Sequence, residues 1–132
     1  MEKLFNTFSI VIGIVGGVII KLMGGFDTVL WVLIAMMVLD YVSGIIKAVY
    51  QKRLSSRIGL NGILKKTTAL LVVAAGNLVQ EITGIGAVRE MVIMFYIANE
   101  GISLLENTAA VSNVIPQSLR EVLLQLRGDS NE

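Results

Sequence analysis

Four long apolar runs, each carrying a few polar or charged residues, constrain this chain more than any other feature. They cover residues 4–22, 28–50, 67–83 and 91–106. A helix that spans a bilayer needs about 20 mostly apolar residues. No run alternates apolar and polar positions for long, and all exceed the usual strand length, so each is predicted to be a helix. Composition points the same way, with 55% hydrophobic and only 16% charged residues. An ordinary soluble domain has roughly 25% charged residues. The expectation is an all-α integral membrane protein with three to four transmembrane helices and a short amphipathic cytoplasmic C-terminal helix. The first run either spans or lies along the surface, because Lys21 stands at its far end. No A-x-A-like cleavage site follows it, so it is expected to be retained rather than removed as a signal peptide.

Charge sign is strongly segregated. Residues 51–66 hold Lys52, Arg53, Arg57, Lys65 and Lys66 and no acid, while residues 24–27 have no basic residue and 83–90 only Arg89. By the positive-inside rule the basic stretch is predicted to be a cytoplasmic loop, with those five cations available to anionic lipid. The chain then divides into a helical membrane domain, 1–106, and a cytoplasmic tail, 107–132. In the tail, Leu119, Val122, Leu123 and Leu126 follow Pro116 at helical spacing, which predicts an amphipathic helix at about 117–127. Residues 128–132 read as a frayed end.

Polar residues inside the runs form stripes, because positions three and four apart share a helix face. Asp40, Ser43, Gly44 and Lys47 make one in the second run. Asn77 and Glu81, with Gln80 and Gly84, make one in the third. Asn99, Ser103, Glu106 and Asn107 make one in the fourth, with Glu100 at its edge. Gly13, Gly16 and Gly17 give the first run a small-residue face. A carboxylate facing lipid at mid-bilayer costs roughly 2.5–3.5 kcal/mol. Asp40 and Glu100 must therefore face other helices or water. Their helices are predicted to run in the same direction, so the two acids can meet at similar depth, with Lys47 a turn below. Asn77 and Asn99 read as bundle glue, the glycines as helix packing, and Lys47 also as a cation snorkelling to the interface. So many stripes exceed what one small bundle hides, and a homo-oligomer accounts for them better.

Other chemistries are disfavoured. The chain has no Cys and no His, which removes disulfides, thiolate nucleophiles and the common zinc ligand sets. No nucleophile–base pair is visible, so no catalytic site, cofactor or metal is expected. Gly59-Leu60-Asn61-Gly62 mimics a GXXG nucleic-acid clamp but lies between membrane runs, and no nucleic-acid partner is expected.

Two blocks carry a resemblance. The first is Leu39-Asp40-Tyr41-Val42-Ser43-Gly44, Lys47-Ala48, Leu54-Ser55-Ser56-Arg57-Ile58-Gly59, Gly62 and Lys65-Lys66. The second runs from Phe95-Tyr96-Ile97-Ala98-Asn99-Glu100 through Asn107 to Ile115-Pro116 and a short charged tail. Together, over about residues 26–127, they resemble the phage holins of the toxin-secretion/phage-lysis family. The resemblance implies a non-enzymatic protein of the bacterial inner membrane, multi-pass, that oligomerises and opens holes releasing an endolysin. It also implies lipid contact, a functional link to the endolysin without required direct contact, and an antiholin as a further partner. Two alternatives remain open from sequence: an antiholin regulator of similar sequence, or a small ion channel or transporter unrelated to lysis.

Overall fold

In a computed structural model, which describes residues 1–112 and 116–128, the chain is all helical. The helices are α1 (Glu2–Leu22), α2 (Thr28–Tyr50), α3 (Ser56–Thr83), α4 (Val88–Ala109) and α5 (Gln117–Arg127). Ile115 of the second block and the expected frayed residues after Gly128 lie outside the described residues.

Local chemistry sets the boundaries. Asp27 caps α2, its side chain accepting from the Leu30 N–H at 3.0 Å, and Ser55 caps α3 by accepting from the Ile58 N–H. A side-chain acceptor here satisfies one of the orphan N–H groups of a first turn. The α1–α2 turn passes through Gly24, at φ +86, where a Cβ would lie 2.5 Å from Asn77 Oδ1 and 2.6 Å from Arg89 Nε. Both the left-handed backbone and the close approach demand glycine there.

The third helix corrects the sequence reading. It starts at Ser56, so the expected loop 51–66 is a loop only as far as Ser55, and Arg57, Lys65 and Lys66 are helical. Hydropathy marks where a helix becomes apolar, whereas the Ser55 cap marks where it begins. The fourth helix likewise extends beyond 91–106 at both ends.

Among the described residues, α1, α2 and α3 are long and apolar enough to cross a membrane. It is α4, not the first helix, that falls short of this measure. The reason lies in its composition: Arg89, Glu90, Asn99, Glu100, Glu106 and Asn107 interrupt its apolar residues, and the helix lies against α2, α3 and α5. Leu33, Val73 and Ile93 are fully buried where α2, α3 and α4 meet. Helix α1 has no buried residue, and of the other helices it touches only α3. A Cβ on Gly13, Gly16 or Gly17 would meet nothing within 4 Å, so within one chain this face packs against no helix. The tail helix is not free-standing. Leu123 is buried over Gly101 of α4, while Leu119, Val122 and Leu126 stay exposed.

Candidate functional site

Three helices each send one ionised group to a single point inside the bundle. Lys66 on α3 donates from Nζ to Asp40 Oδ2 on α2 and to Glu100 Oε2 on α4, both at 2.6 Å. The three side chains are only 12–16% exposed. Asp40 is held further by Asn107, whose Nδ2 donates to Asp40 Oδ1 at 3.0 Å and to Ser43 Oγ at 3.0 Å. The Ser43 hydroxyl in turn donates to the Asp40 backbone carbonyl. Gly44 lies beside this contact, where a Cβ would sit at an ordinary van der Waals distance of 3.6 Å from Asn107 Nδ2. The spacings 40–43–44 and 100–103–107 put these groups on the inward faces of α2 and α4.

The structure separates the positions of two lysines. Lys66, grouped by sequence with the topology and lipid cations, is the partner of both Asp40 and Glu100. Lys47, expected a turn below them, makes no ion pair among the described residues and lines, with both acids, an open cavity of about 740 Å³. The cavity wall also includes Asp40, Gly44, Lys66, Asn99, Glu100, Ser103, Glu106 and Asn107. Much of the second and fourth stripes therefore converges on one space. The third stripe does not. Asn77 points to the opposite end of the bundle, where its Nδ2 donates to the Leu22 carbonyl and to Glu81 Oε1, both at 3.1 Å.

That opposite end holds a second charge cluster, which the sequence reading missed. Arg89, 3% exposed, donates from Nε to the Met23 carbonyl and from its terminal nitrogens to the Gly25 carbonyl and both Asp27 oxygens. It also reaches Glu90. The guanidinium fork thus ties the α1–α2 turn to α4, a geometry that a planar five-donor group suits. The hydrogen bonding from Arg89 holds the Asp27 carboxyl down at about 2, against a smaller opposing effect of desolvation. The available signal was a lone Arg in a connection otherwise lacking basic residues, facing a turn with one acid. Among the described residues no group of three or more acids, His or Cys could hold a metal ion.

Three helices long and apolar enough to cross a membrane, with polar groups of α2, α3 and α4 gathered on one cavity, define a helical membrane protein. The chain belongs to the bacteriophage holin family, which it matches over residues 17–128. It is 33% identical over 96 residues to a "probable holin" of Bacillus phage phi105, covering 72% of this chain and 71% of that protein. It is 36% identical to an uncharacterized protein of Clostridium perfringens (strain 13 / Type A), covering 99% and 98% of the two chains. An uncharacterized protein of Listeria innocua is 39% identical over 83% of this chain and 79% of its own length. No solved structure matches it.

Proposed function

We propose that this holin oligomerises in the bacterial cytoplasmic membrane and opens holes through which an endolysin leaves for host cell lysis. The observation that carries this reading is the Lys66–Asp40–Glu100 cluster, neutralised inside one subunit at the edge of a polar cavity. Buried charge is costly in a membrane and marks function by default. In the resting subunit the acids are satisfied by Lys66. In an assembled ring the same faces line water. The exposed glycine face of α1 supplies a contact between copies, since small residues let helix backbones approach. The basic segment from Lys52 to Lys65 faces the cytoplasm, so the Arg89 clamp lies on the outer side. The chain is non-enzymatic and acts on its endolysin partner only by letting it pass.

The test expresses the chain alone and with an endolysin, and records lysis time. Asp40→Asn and Glu100→Gln keep shape while removing charge. Both are expected to accumulate normally and to shift or abolish lysis. Unchanged lysis timing in both variants would leave the acids a purely structural role. Lysis that never occurs with an endolysin present would favour an antiholin.

A further inference from the structure

Two cations of this chain are fully engaged inside the fold: Lys66 by two carboxylates, and Arg89 by carbonyls and Asp27. Three others are not. Lys47 near the end of α2, Arg53 in the following loop and Lys65 on α3 line the same cavity. Among the described residues none of the three makes an ion pair or a side-chain hydrogen bond. Like charges gathered around one opening repel one another, and an anion placed between them relieves that cost.

We infer that this mouth of the cavity is a binding site for the phosphate-bearing headgroup of an anionic phospholipid. The opposing acids limit the site without cancelling it. Asp40 and Glu100 are turned to Lys66, which leaves Glu106 as the remaining carboxylate on the wall. Arg127 reaches the same wall from α5, and Asn61 adds an amide. Ile58, which also lines the cavity, and neighbouring Leu54 are 41% and 54% exposed. This apolar surface beside the cations suits acyl chains and favours a lipid over a free phosphate. A zwitterionic headgroup carries the same phosphate but brings its own ammonium towards three cations, so it binds less well. Basic pockets between membrane helices are known to take anionic headgroups in this way. The site does not depend on hole formation, and its failure leaves the proposed function standing.

The test is native mass spectrometry of the full chain in detergent, titrated with phosphatidylglycerol and with phosphatidylcholine. Phosphatidylglycerol is expected to bind at roughly tenfold lower concentration or better. That preference should vanish in Lys47→Gln/Arg53→Gln/Lys65→Gln. It should persist in Lys47→Arg/Lys65→Arg, which keeps the charge. It should also persist in Lys52→Gln/Arg57→Gln/Arg120→Gln, which removes three cations lying off the cavity. Equal binding of the two lipids, or equal losses in both neutralised variants, overturns the site. Displacement of the lipid by millimolar inorganic phosphate assigns the pocket to a free anion and overturns the lipid assignment.

Discussion

Replacing Lys66 with Met removes the one cation that two carboxylates share. Each contact is 2.6 Å long, and at an effective dielectric of about 20 each is worth about 6 kcal/mol of gross attraction. Desolvating the three ions offsets much of that, at several kcal/mol per ion. The variant loses the attraction but keeps both acids buried, so a net loss of about 3–5 kcal/mol is expected. A ceiling comes from protonation. Neutralising one carboxylate of ordinary pKa near 4 at pH 7 costs about 4 kcal/mol, and the variant can take that route instead. Adding Asp40→Asn and Glu100→Gln to Lys66→Met removes all three charges together. Most of the lost stability should return, because a neutral set of similar shape bears no ionic desolvation cost, and Asn107 can still donate to the amide oxygen at position 40. The assay is unfolding in mixed detergent micelles followed by far-UV circular dichroism. A single variant within 1 kcal/mol of the parent, or a triple variant no more stable than the single one, would refute the reasoning.

Arg89→Lys keeps the charge but cannot span two carbonyls and both Asp27 oxygens, so a loss on the order of 3 kcal/mol is expected, with faster proteolysis in the 23–27 turn. Because its folded pKa is lowered, Asp27 contributes stability that is complete above its ordinary value of 3.8 and is lost as pH falls through about 2. An acid titration of thermal stability should show that decline, and Asp27→Asn should flatten it. At Gly101 a Cβ would lie 2.8 Å from Leu123 Cδ2. Gly101→Ala is therefore mild, because the Leu123 side-chain end can rotate away, whereas Gly101→Leu should undock α5 and speed tryptic cleavage at Arg120 and Arg127; unchanged cleavage in Gly101→Leu would argue against the docked helix. For topology, a cysteine at Ser56 should resist an impermeant thiol reagent outside intact cells, and one at Thr83 should react. The reverse pattern would invert the orientation.

What the sequence determined by itself was the helix inventory and that Asp40 and Glu100 turn away from lipid towards other helices. Apolar runs of spanning length leave little choice of backbone, because unsatisfied peptide groups are too costly in lipid. The second helix, 28–50, was legible to the residue, since its Asp27 cap and its apolar start coincide. The third was not, because its first turns from Ser56 are polar and hydropathy sees only the apolar part. Tertiary structure alone decided which cation answers the acids. Lys47 and Lys66 have the same chemistry, and spacing along one helix can only connect Asp40 to Lys47. The antiparallel packing of α3 beside α2 and α4 brings Lys66 to the acids from 26 and 34 residues away. The Arg89 clamp was hidden for the same reason, because its partners lie across the bundle, 62–66 residues back in the chain. Periodicity reports which face a residue occupies; only packing sets which faces meet.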